Sequence, residues 1–106
     1  MANVSVSDAF VALGDPTRRA IFERVANRPQ SVGSITKRMD VSRPAVSQHL
    51  KVLKDAGLVT DRQDGTKRIY ALDLRGLSTM RGYLDKFWDK ALTAFQLALE
   101  EEEDDE

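Results

Sequence analysis

The chain has 106 residues, 42% of them hydrophobic, and no cysteine, so it suits one domain, excludes two of ordinary size, and excludes disulfides and thiolate metal sites. No apolar run reaches the ~20 residues of a membrane span, and the amino terminus lacks a charged stretch followed by an apolar one, which makes a cytoplasmic location the expectation. The net charge of −1 conceals segregation: Glu100 to Glu106 are all acidic, and without them sixteen basic side chains face ten acidic ones.

The first predicted helix covers Ser7 to Leu13, with Ser7 as cap and Phe10 and Leu13 on one face. Gly14 ends it. Asp15-Pro16 opens a second helix that buries Ala20, Ile21 and Val25 and stops at Pro29. Ser31 caps a short third helix to about Met39. After the tight connection Asp40-Val41-Ser42, a fourth helix begins near Arg43 and runs to about Ala56. Pro44 fits its first turn, where a missing N–H costs little, and Gly57 supplies a left-handed stop.

Beyond Gly57 the apolar period changes from about 3.6 to 2. Leu58 to Gln63 and Lys67 to Leu72 are predicted strands, with Asp64-Gly65 as the hairpin turn. A long last helix starts at Asp73 or Leu74. Leu77, Met80, Leu84, Phe87, Trp88, Ala91, Leu92 and Phe95 recur along it at steps of three and four. The expected fold is mainly α with a small β-hairpin, in the order α-α-α-α-β-β-α, a winged helix-turn-helix. Residues 1–99 are expected to form one folded domain, and 100–106 a solvated, disordered acidic tail. A sharper role for that tail is competition with DNA for the basic face.

Two short helices across a tight turn suggest a helix-turn-helix. On a wheel of the fourth helix, Val46, Leu50 and Leu53 fall on one side; Pro44, Ser47, Gln48, Lys51 and Asp55 fall on the other, beside Arg43. Gln can pair with adenine, Arg with guanine and Ser with either kind of base edge, while Lys51 suits a phosphate. The bland alternative is an amphipathic helix with a solvated face. The hairpin tips the balance, because Arg62, Thr66, Lys67 and Arg68 gather at its tip and form a wing able to lie along the backbone. The region from Pro16 to Tyr70, with twelve Lys or Arg against five Asp or Glu, has the charge that phosphate neutralisation requires. Arg18 and Arg19 are either further phosphate contacts or ordinary surface residues. His49, on the flank of the wheel, is structural or touches phosphate; a lone His is a poor metal-ligand set.

Leu13-Gly14-Asp15-Pro16-Thr17-Arg18-Arg19, Ser42 to Leu53 and Ala56-Gly57-Leu58-Val59 together resemble the ArsR-type winged-helix repressors over roughly Phe10 to Leu92. The resemblance implies a prokaryotic homodimer that represses its own or a neighbouring operon at an inverted-repeat operator in duplex DNA. It places DNA contacts at Arg43, Pro44, Ser47 and Gln48, and dimer contacts on the first and last helices. The apolar excess of the last helix agrees, so Phe10, Leu84, Phe87, Ala91 and Phe95 are the dimerisation candidates. The sequence departs from metal-sensing relatives: the third helix has no thiol, and the last has Asp85 and Asp89 but no histidine. No metal site and no cofactor are expected, and no effector is assigned. An interaction or architectural module without operator choice is the competing reading. No catalytic residues are expected: a Gly-rich phosphate loop and a cysteine nucleophile are missing, and Ser47 and His49 point to different sides.

Overall fold

Every helix begins where a short oxygen-bearing side chain can satisfy an otherwise unpaired backbone N–H. In the computed structural model, which describes residues 4–104, Ser5 accepts from the N–H of Asp8 at 3.2 Å and opens α1, Val6–Gly14. The cap is therefore Ser5, two residues before the expected Ser7. Asp15 accepts from the N–H of Arg18 at 2.8 Å and starts α2, Pro16–Asn27. Ser31 opens α3, Val32–Lys37, and Ser42 opens α4, Arg43–Asp55. Asp73 accepts from the N–H of Arg75 at 3.0 Å and begins α5, Leu74–Asp104.

Three strands complete the fold: β1, Gln30–Ser31, β2, Val59–Asp64, and β3, Lys67–Leu72. They form an antiparallel sheet in the order β1-β3-β2. Strand β1 was not expected, since two residues carry no readable period; it exists through its pairing of Gln30 with Tyr70 and Ser31 with Ile69. The hairpin register also differs from expectation. Asp64 pairs with Lys67, so the turn is Gly65-Thr66, not Asp64-Gly65. Gly65 has φ +63° and Thr66 has no positive φ. That combination matches a hairpin with glycine at the first turn position.

The core joins Ala9 and Ala12 of α1, Ile21, Phe22 and Val25 of α2, Ile35 of α3, Val46, Leu50 and Leu53 of α4, and Leu58 and Val59 at the sheet. Gly57, at φ +74°, ends α4 as expected, and its carbonyl accepts from the N–H of Gly76 at 2.8 Å. A Cβ on Gly76 would lie 2.8 Å from that oxygen, so glycine permits the close approach of α5. Only the first turns of α5, through Leu77 and Met80, pack on the core. From Arg81 to Glu103 every residue is exposed. At ~1.5 Å per residue the helix is about 46 Å long, which accounts for a longest dimension of 70 Å. The acidic end, expected to be disordered from residue 100, continues this helix through Asp104; residues 105 and 106 lie outside the described residues.

Candidate nucleic-acid interface

Helix α4 divides as its sequence period dictates. Val46, Leu50 and Leu53 are fully buried, whereas Arg43, Pro44, Ser47, Gln48 and Lys51 are exposed. The buried edge fixes the rotation of the helix, and the rotation fixes which side chains face outward. Lys51 reaches Asp55 at 3.2 Å, but both are highly exposed, and such pairs contribute little. Its ammonium therefore stays available to a stronger anion.

The wing carries its cations in two ways. Arg62 and Lys67 are exposed and make no ion pair among the described residues, and the neutral Thr66 between them is exposed too. Arg68 is held at 3.1 Å by Asp61, which also takes Lys54 at 2.9 Å. The side chain of Asp61 is only 9% exposed, and the Lys54 hydrogen bond foremost, then Arg68, holds its carboxyl below the ordinary value of 3.8. This triad ties α4 to both strands of the hairpin. Arg68 thus anchors the wing as well as adding charge to it.

Between α3, the start of α4 and the wing lies an open cleft of about 750 Å³. Strand β1 stops at Ser31, opposite Ile69, so the edge of β3 beyond that point faces α3 without a partner strand. Lys37, Arg38, Arg43, Lys67 and Arg68 line the cleft together with Ser31, Gly33 and Ser34, and no carboxylate does. Five cations around one concavity favour a polyanion. Lys37 and Arg38 were missed by the sequence reading. Their signal, two adjacent basic residues at the end of α3, becomes meaningful only once the wing is folded beside them.

Arg19 is exposed, as an ordinary surface residue would be, Arg18 is partly buried, and both side chains also bond within the fold. Arg18 Nε donates to the carbonyl of Ala12 at 2.7 Å, and Arg19 Nη1 to that of Leu13 at 3.0 Å. Both therefore close the carboxyl end of α1, whose last carbonyls lack helical partners. Arg18 Nη1 also lies 3.4 Å from His49 Nδ1. This contact makes the partly buried His49 a strut between α2 and α4.

The dimerisation candidates separate into two groups. Phe10 is half-buried and packs edge-on against Tyr83 of the same chain, at a centroid distance of 5.7 Å. Tyr83 in turn meets Phe87 at 5.1 Å. Leu84, Phe87, Ala91 and Phe95 lie on the exposed length of α5, as do Trp88, Leu92 and Leu99. Among the described residues, no group of three or more His, Cys, Asp or Glu is placed to hold a metal ion, and no helix is long and apolar enough to cross a membrane.

Residues 13–62 match a family model described as a helix-turn-helix domain. The chain is 55% identical over 97 residues to the HTH-type transcriptional regulator Rv2034 of Mycobacterium tuberculosis, covering 92% of this chain and 91% of that protein. It belongs to the ArsR-type winged helix-turn-helix transcriptional regulators. The transcriptional repressor SdpR of Bacillus subtilis is 29% identical over 80% of this chain and 94% of its own length. Among solved structures, an ArsR-like transcriptional regulator from Rhodococcus sp. RHA1 superposes with a TM-score of 0.73 at 31% identity, covering 86% of this chain and 89% of that one. The family is a DNA-binding, non-enzymatic one, which accords with the expectation of no catalytic residues. The winged-helix order expected from sequence holds, with β1 added.

Proposed function

We propose that this regulator is a homodimeric repressor of its own or a neighbouring operon, binding an inverted-repeat operator without a metal sensor. The observation that carries the reading is the pairing of two features on one rigid frame. The face of α4 with Arg43, Pro44, Ser47 and Gln48 is free to enter a major groove. Beside it, the basic cleft and wing offer Lys37, Arg38, Lys67 and Arg68 to one phosphate backbone. Base edges would be read by Gln48, Ser47 and Arg43, and position would be set by the cations and Lys51.

The dimer is supported by the bare apolar stripe of α5, because Leu84, Phe87, Trp88 and Phe95 are about half exposed or more in the single chain. Two-fold pairing would present two α4 helices about 34 Å apart, one turn of duplex. Selection of bound DNA from a random pool tests the whole reading. The expected product is a palindrome with half-sites one helical turn apart. Recovery of unrelated sequences with equal affinity would favour an architectural module instead.

A further inference from the structure

The acidic end of α5 is placed against the electrostatics of its own helix. Glu100 to Asp104 occupy the last turns, where the helix dipole is already negative, and like charges recur there at i,i+3 and i,i+4. No basic residue offsets them in the last turn. The nearest Lys or Arg along α5 is Lys90, ten residues back and about 15 Å away. The stretch from Arg81 to Asp104 spans about 35 Å. None of Glu100 to Glu103 forms an ion pair with a cation of its own chain among the described residues.

The partner that fits is a second copy in antiparallel register, and this rests on the dimer proposed above. At ~100° per residue, Leu84, Trp88, Ala91, Phe95 and Leu99 form one stripe; Arg81 lies on its flank and Glu102 continues it. Between Ala91 and Leu99 there is no charge at all. With the two-fold axis between Ala91 and Leu92, Leu84 falls opposite the partner's Leu99 and Trp88 opposite the partner's Phe95. The same alignment sets Arg81 opposite the partner's Glu102. Shifting the sum of paired numbers up by seven puts Glu102 on the partner's Trp88; shifting it down by seven puts Arg81 on the partner's Phe95. Both shifts separate the acid from the base, and the upward one also sets an anion against an aromatic ring. Arg81 is exposed and makes no ion pair among the described residues, although Asp85 is four residues on; that order of charges is the weaker one on a helix.

We infer that the acidic end of α5 is an intermolecular clamp: Glu102, with its acidic neighbours, pairs with Arg81 of a second copy and fixes the register of an antiparallel α5 dimer. The clamp occurs twice per dimer by symmetry. It uses charges to reject the shifted registers that a plain apolar stripe would tolerate.

Sedimentation equilibrium on the full chain tests this with Arg81→Glu, Glu102→Arg and the double exchange, at low salt and at about 1 M salt. Each single reversal is expected to raise the dimer Kd roughly tenfold at low salt, and the double exchange to restore it to within about threefold. High salt should erase most of the difference. Glu102→Arg relieves the unfavourable end of the helix, so helicity by circular dichroism should hold or rise while the dimer weakens; this separates the clamp from a folding defect. Single reversals that leave an intact dimer unchanged, or a double exchange that compounds the loss, would overturn the clamp and leave the dimer standing. A wild-type chain that stays monomeric would overturn both.

Discussion

The basic cleft makes a quantitative prediction about salt. Replacing Lys37 and Lys67 by Ala removes two cleft cations that make no ion pair among the described residues, one from α3 and one from the wing. Each neutralised phosphate contributes about −0.9 to the slope of log K against log salt. Two cations per protomer, doubled in the proposed dimer, should flatten the slope by about 3.6. Over a fourfold rise in salt, from about 50 to about 200 mM, the wild-type affinity should then fall roughly 100-fold more than that of the variant. Fluorescence anisotropy with operator and random duplexes measures both slopes, and the two DNAs should lose similar amounts, because phosphate contacts position without specifying. Lys54→Ala is the control: its ammonium is committed to Asp61 at 2.9 Å, so its slope should stay near that of wild type. A double variant with an unchanged slope, or a Lys54→Ala slope as flat as that of the double variant, would refute the assignment of the cleft to the backbone.

Gln48→Ala should cost roughly 1–3 kcal/mol of discrimination between operator and single-base variants, read by competition binding, with little change in salt slope. Leu84→Glu should place two charges in the α5 seam and give monomers by sizing, with weaker operator binding. Gly57→Ala should lower the thermal midpoint, because φ is +74° and a Cβ would lie 2.8 Å from Val4, a cost of about 1–2 kcal/mol or more. Acid should weaken the fold through Asp61 and Asp73, whose carboxyls are held below 3.8 chiefly by Lys54 and by Arg75 respectively. Their stabilisation is complete above the ordinary value and drains away as pH falls through the lowered one. Thermal melts from about pH 7 to pH 3 should therefore drop below about pH 4, and Asp61→Asn with Asp73→Asn should lessen that drop.

The sequence by itself determined the elements whose signals are local. Val46, Leu50 and Leu53 recur at helical spacing, so the exposed face opposite them was legible in the sequence, as were the caps at Asp15, Ser31 and Ser42 and the stop at Gly57. These features depend on residues within a turn or two of one another, which period and capping chemistry encode directly. Tertiary structure decided what depends on distant segments. Gln30 and Ser31 became a strand only by pairing with β3, and the same pairing left the edge that forms the cleft. Lys37 and Arg38 gained their role from a wing about thirty residues away in sequence, and Arg18 and Arg19 were drawn to the carbonyl end of α1. The start of the helix α4 that local period revealed is thus part of the wall of a basic cleft, and that cleft exists because chain closure brings together cations that no local pattern links.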